Sequence, residues 1–143
     1  MLIKRVIATA VALTVCIFIS FAAVSVDQSE ALSPAYDKAQ VELCGRQIAS
    51  LINDREYESV VNMLSPSLRD QLTAEELESE WGAAMDESGA FREINNVSVV
   101  GQKDAITGAD CALVVLTCKF EKMSRVYSFL FNTNMELVGI YLE

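Results

Sequence analysis

Gly89 divides this chain into two parts with different periods. Before it, apolar residues recur every three or four positions, as on one stripe of a helix; after it they alternate, as along a strand. The stretch from Tyr57 to Phe91, YESVVNMLSPSLRDQLTAEELESEWGAAMDESGAF, carries the clearest helix signals. Tyr57, Val60, Val61 and Leu64 form one stripe that Asp54 is placed to cap. Ser65-Pro66 is a cap followed by proline at the first helical position, where the missing N–H costs nothing, and the short turn after it delivers Leu68 and Leu72 inward. Thr73 with Glu76 reads as a capping box opening a helix that presents Leu77, Trp81, Ala84 and Met85. Gly89 supplies the left-handed residue that stops it. Upstream, Ser33-Pro34 repeats the cap-plus-proline signal and predicts a helix with Val41, Cys44, Ile48, Leu51 and Ile52 inward; Gly45 weakens that helix or marks close packing.

After Gly89 the spacing predicts four strands: Phe91–Gly101, Cys111–Glu121, Arg125–Phe131 and Glu136–Leu142. Their connections are too short for parallel crossovers, so the sheet is antiparallel. Helices first and sheet afterwards give the α+β class: three N-terminal helices packed on one face of a curved four-stranded antiparallel sheet.

The first 25 residues point elsewhere. Lys4 and Arg5 precede an uncharged run from Val6 to Val26, which is an export segment. Ala23-Val24-Ser25 offers small residues for cleavage after Ser25. The run is also long enough to span a bilayer, so retention as a signal anchor stays open. The expected organisation is a signal peptide or anchor over 1–25, a linker over 26–33 and one domain over 34–143. The expected address is extracytoplasmic, secreted or at the cell envelope, with membrane attachment only through an uncleaved N-terminal segment over residues 6–26.

Histidine is absent. A Ser-His-Asp or Cys-His nucleophile system therefore has no base, and no zinc site can use imidazole. The formal net charge of −9 disfavours nucleic acid and anionic lipid as partners. Catalysis without histidine would need an inward carboxylate. The strand acids Glu93, Asp110, Glu121, Glu136 and Glu143 fall at strand ends or in the irregular first strand, and the other acids crowd the helices as a solvated face. No catalytic residue, metal site or cofactor is expected.

Three cysteines follow the export segment. Cys111 and Cys118 lie seven apart in one strand, about 23 Å, and point to opposite faces, so they cannot bond each other. Cys118 faces inward with Val114, Leu116 and Phe120, and Cys44 faces inward from the first helix, which makes a Cys44–Cys118 disulfide geometrically reasonable. Its alternative is buried reduced thiols acting as small hydrophobes. The aromatics Trp81, Phe91, Phe120, Tyr127, Phe129, Phe131 and Tyr141 either fill the core or line a mouth for a small apolar ligand. Both parities of the last two strands are apolar while helices cover only one face. The spare face is thus expected to pair with a second copy, giving a homodimer.

LSPSLRDQLTAEELESEW, then Gly89-Ala90-Phe91, Cys118-Lys119-Phe120-Glu121, Phe129-Leu130-Phe131-Asn132 and Gly139-Ile140-Tyr141 together resemble the bacterial domain of unknown function numbered 3887. The likeness covers about 51–142. It implies a nuclear transport factor 2-like, cystatin-like cone in an exported bacterial setting, and brings no catalytic residues with it. The expected function is a non-catalytic ligand-binding or protein-interaction module at the cell envelope. The alternative is a histidine-free isomerase or hydratase using Asp and Tyr in the cone cavity. The ligand-binding residues are unknown at this stage.

Overall fold

The computed structural model describes residues 30–143; the export segment, its cleavage site and the first half of the linker lie outside them. Among these residues four helices precede four strands. Helix α1 is Lys38–Asn53, α2 is Tyr57–Asn62 and α3 is Pro66–Arg69. Helix α4 runs over 74–88 as Ala74–Leu77, a π turn Glu78–Gly82 and Ala83–Ser88. The strands are β1 Phe91–Lys103, β2 Asp110–Phe120, β3 Ser124–Phe131 and β4 Leu137–Leu142, in the order β1-β2-β3-β4 with every neighbour antiparallel. The short segment at Pro66 is a helix of its own, so the count is four rather than three.

Two caps fall where the sequence placed them. Thr73 Oγ1 accepts from Glu76 N at 3.2 Å while Glu76 Oε2 accepts from Thr73 N at 2.9 Å, the reciprocal box. Ser65 Oγ accepts from Leu68 N at 3.4 Å with Pro66 at the first helical position.

Two others move. The Ser33-Pro34 signal makes a turn, closed by Tyr36 N to Ser33 O at 3.1 Å, and α1 begins later under Asp37, whose Oδ1 accepts from Ala39 N and Gln40 N. The delay seats Tyr36 in the core, where its hydroxyl reaches Asp110 O at 2.7 Å and Phe131 O at 3.2 Å. Asp54 ends α1 instead of starting α2, which opens at Glu56 without a side-chain cap. Glu56 N donates to Leu51 O at 2.8 Å and Arg55 N to Ile52 O at 2.9 Å, the six-to-one and five-to-two bonds of a Schellman end. Such an end needs a left-handed residue, and Arg55 supplies it at φ 61°.

The main core lies between the helices and one face of the sheet. Val41, Ile48, Ala49 and Ile52 of α1 and Leu77, Trp81 and Met85 of α4 meet Val114, Leu116, Cys118 and Phe120 of β2 and Tyr127, Phe129 and Phe131 of β3. Cys44 and Leu51 only flank it. Gly45 is the reason α1 sits so close: a Cβ there would lie 2.7 and 2.9 Å from the two methyls of Val114.

The opposite face carries a second, smaller cluster of Cys111, Leu113 and Leu130, flanked by Val100, Val115, Val138 and Tyr141. A register shift in β4 explains its membership. Leu130 pairs with Gly139 but Phe131 pairs with Leu137, so Val138 is an extra residue. Beyond that bulge Ile140 and Leu142 turn to the helix side, and Tyr141 turns away from the other aromatics. Its ring covers Gly139, where a Cβ would come within 2.8 Å of the Tyr141 hydroxyl. This face is therefore partly self-covered, with Cys111, Leu113 and Leu130 all buried.

Arg125 ties the sheet to the end of α4. Its side chain is 18% exposed; Nε donates to Ser88 Oγ at 2.7 Å and Nη2 to Ala84 O at 3.3 Å and Glu87 Oε2 at 3.1 Å. A cation at a helix C-terminus also meets the negative end of the helix dipole.

Candidate functional site

The space between the helices and the sheet is packed with aromatic rings. Trp81 stands 5.0 Å from the Tyr127 ring and 6.3 Å from Phe129, and Tyr127 lies 6.4 Å from Phe120. Among the described residues the buried polar or charged ones are Ser65, Ser88 and Gln102, with no Asp or Glu. Tyr127, fully buried, donates its hydroxyl to Asn53 Oδ1 at 2.8 Å, so a neutral amide stands where a phenol-and-carboxylate pair would need an acid. Tyr57, also buried, directs its hydroxyl at Met85 Sδ, 3.6 Å away. Among the described residues no group of three or more Cys, Asp or Glu is arranged to hold a metal ion, and no helix is long and apolar enough to cross a membrane.

The concave surface lies on the helical side. One groove, of about 360 Å³, runs between the start of α2 and the first turns of α4 and is bounded by Arg55, Glu56, Glu58, Ser59, Glu75 and Glu78. A smaller hollow of about 240 Å³ adjoins it, bounded by Glu58, Val61, Asn62, Arg69, Leu72 and Thr73. Both are open to solvent. Glu58 and Ala74 belong to both, so the two form one shallow channel. Its walls follow from local rules met above: the Schellman end at Arg55 sets the angle at which α2 leaves α1, and the capping box fixes where α4 starts. Arg55 pairs with Asp86 of α4, which holds its charge and leaves the Glu56, Glu58, Glu75 and Glu78 carboxylates dominating the groove. By sequence alone Glu75 and Glu78 belong to a solvated helix face. Their juxtaposition with Glu56 and Glu58 has no local signal, because α2 and α4 are brought side by side only by packing on the sheet.

The three cysteines of the described region are all free. Cys118 is buried under the helices, with its thiol pushed up to about 11 by burial. Cys44 is half-exposed, 3.7 Å from Gln40 Nε2 one turn earlier. Both thiols are free in the structure, where the neighbouring Gly45 presses α1 onto Val114 of β2. Under native conditions Cys44 is expected to alkylate first, and Cys111 and Cys118 only as the domain opens. Denaturation without reductant should expose all three to label; protection of Cys44 and Cys118 together would restore the disulfide.

Two buried phenols, Tyr36 and Tyr127, and the half-buried Tyr141 set a pH limit. Burial, then Cys111 and Asp110, pushes Tyr36 up to about 12; burial, then Asp104 and Cys111, does the same for Tyr141. Tyr127 is raised, first by burial and then by Cys118 and Tyr57. Each is raised in the fold above its ordinary 10.0, so the stability it contributes is fully present below that pH and is lost as pH rises toward the folded value. The urea midpoint is expected to fall through this alkaline window in step with tyrosinate absorbance. A midpoint flat to pH 12 would contradict it.

The family model described as "Protein of unknown function (DUF3887)" matches residues 46–140. The chain belongs to the DUF3887 family. That span takes in the second half of α1, the other helices, the groove and nearly the whole sheet. The NMR structure of a protein from Ruminococcus gnavus ATCC 29149 is similar to this DUF3887 chain at a TM-score of 0.66 and 22% identity, covering 79% of this chain and 96% of that one. The likeness establishes the shared fold. No curated protein matches.

Proposed function

We propose that this DUF3887 chain is an exported, non-catalytic interaction module of the cell envelope, built on a cystatin-like cone, that grips a basic segment of another protein in the α2–α4 groove. The observation that carries this reading is where the carboxylates lie. They line an open groove, while the space beneath the helices is packed with rings and holds no Asp or Glu among the described residues. An isomerase or hydratase of the alternative kind needs the reverse, an acid withdrawn from water beside a tyrosine with room for substrate. The bulges in β1 and β4, which curl a sheet, support the cone.

A photo-crosslinker at Glu58, in the full chain in its own envelope, should give discrete protein adducts that disappear when Glu75 and Glu78 are both changed to Lys. Adducts that survive the reversal would remove the groove from the reading. A small molecule retained in native mass spectrometry would favour an apolar ligand in the cone instead. The homodimer is proposed on the half-buried Val100, Val115 and Val138 beside the outer cluster. A single-chain mass by light scattering across micromolar concentrations would remove it.

A further inference from the structure

We propose that the open edge of β1 docks an extended segment of another protein, one with apolar side chains at alternate positions, which adds to the sheet as a fifth strand beside α1. The site lies apart from the α2–α4 groove and does not depend on it.

The backbone defines the edge. Glu30 and Gly101 exchange both backbone bonds across it, at 3.0 and 2.8 Å, in an antiparallel bridge. From Val97 to Gly101 the register with β2 is unbroken, so residues two apart aim their N–H and C=O the same way. Gly101 aims outward at Glu30. Val99 and Val97 therefore aim outward too, and among the described residues no backbone group meets them. Their two N–H and two C=O groups form a row ready to pair. Both ends of the row are bounded. Before Val97 the extra residue Asn95 breaks the register, and such a bulge turns an edge away from pairing. At the other end Glu30 fills the next rung, and the chain then leaves the edge, since the Tyr36 hydroxyl already reaches Asp110 O and Phe131 O.

The flanking side chains select the occupant. Val97 and Val99 are half-buried on the helix side of β1. One flank of α1 stands beside them. Gly45 presses onto Val114 of β2 and Asn53 bonds Tyr127 of β3, so the flank about half a turn from Asn53, with Cys44 and Leu51, faces β1. Cys44 and Leu51 are likewise only partly buried. An incoming strand sets every second side chain against these four residues and completes their burial. Its other side chains lie level with Asn96 and Ser98, both exposed on the outer face, where polar groups are favoured. In strand addition of this kind main-chain bonds supply affinity and alternate side chains specificity. A bare segment fits between edge and helix. A second copy pairing through β1 would bring its own α1 to the same side of the sheet and set one net charge of −9 against another.

The test begins with the full chain alone in detergent micelles. In amide exchange read by NMR, Val97 and Val99 should exchange at least about tenfold faster than Ser98 and Val100, whose N–H groups are committed to β2. Slow exchange at Val97 and Val99 that speeds up on dilution means a second copy holds the edge, and overturns the proposal. The probe is a phage-displayed library of short linear peptides selected on the same chain. Enriched sequences should alternate apolar and polar residues, and a synthetic one should slow Val97 and Val99 exchange several-fold. N-methylation of one alternate set of its residues should weaken binding about tenfold through lost hydrogen bonds, and of the other set hardly at all. Val97→Pro removes one outward N–H at a place where an edge strand tolerates proline, and should weaken binding by a similar factor. The methylated peptides decide the matter even if that variant fails to fold. Glu75→Lys with Glu78→Lys should bind the peptide as the wild type does, so the edge and the groove are judged separately. No enrichment, peptides that bind without slowing Val97 and Val99, or equal binding by the two methylated forms overturns the proposal.

Discussion

Trp81→Ala is expected to destabilise the domain by about 3–5 kcal/mol, the range for deleting a large aromatic from a packed core. Trp81 is 4% exposed and joins the two layers: it projects from the π turn of α4 onto Tyr127 and Phe129 of β3. Its ring pairs add about 0.5–1.5 kcal/mol each beyond the area they bury. Neighbours cannot collapse into the gap cheaply, because Tyr127 is held by its bond to Asn53 and α4 by the Arg125 clamp on Ser88 and Ala84. A domain of this size holds about 5–15 kcal/mol in total, so the loss is a large share. The melting temperature should fall by about 10 °C or more. Glu80→Ala, one residue away on the exposed side, should stay within about 0.5 kcal/mol of wild type. Equal melting of both variants would mean the aromatic cluster does not join the layers.

Gly45→Ala sets two effects against each other, and their magnitudes decide the sign. In an exposed helix interior alanine gains about 0.5–1 kcal/mol over glycine. Here the new methyl would lie 2.7 Å from Val114 Cγ1 and 2.9 Å from Cγ2. Val114 is fully buried in β2, between β1 and β3, and its branched side chain has little rotamer freedom. Overpacking of this kind costs about 1–3 kcal/mol, so a net loss of about 1–2 is expected. Val114→Ala loses methyls on its own account, but in the double variant the two changes should compensate in part. A coupling above about 0.5 kcal/mol in a urea double-mutant cycle marks the contact. A Gly45→Ala protein more stable than wild type would show that α1 and β2 are not pressed together there.

Much of the fold was legible because its causes are local. The Thr73–Glu76 box, the Ser65-Pro66 start and the glycine stop at Gly89, observed at φ 83°, each involve groups a few residues apart, and all three lie where the sequence puts them. The alternation of β2 likewise separated Cys118 from Cys111 correctly onto two faces. The failures share a different cause. Asp54 and Ser33 carry the right side chains for helix caps, yet Asp37 and a left-handed Arg55 prevail, because Tyr36 and Tyr57 must be delivered to the core. The Val138 bulge reverses the parity of the end of β4, and alternation alone has no means of announcing one extra residue. The groove acids were visible as helix-face charges, but not that α2 and α4 place them opposite each other.

The amino-acid sequence by itself determined the class: a helical front half, an antiparallel back half and no histidine chemistry, since period, caps and composition are properties of short windows or of the whole list. Tertiary structure alone decided which polar groups meet. Asn53 rather than a carboxylate receives the Tyr127 hydroxyl, Gly45 rather than Cys44 touches the sheet, and Tyr141 crosses to the outer face. Those outcomes depend on how two amphipathic surfaces settle against each other, and a shift of one residue or 100° of helix turn changes every partner while leaving the local pattern intact.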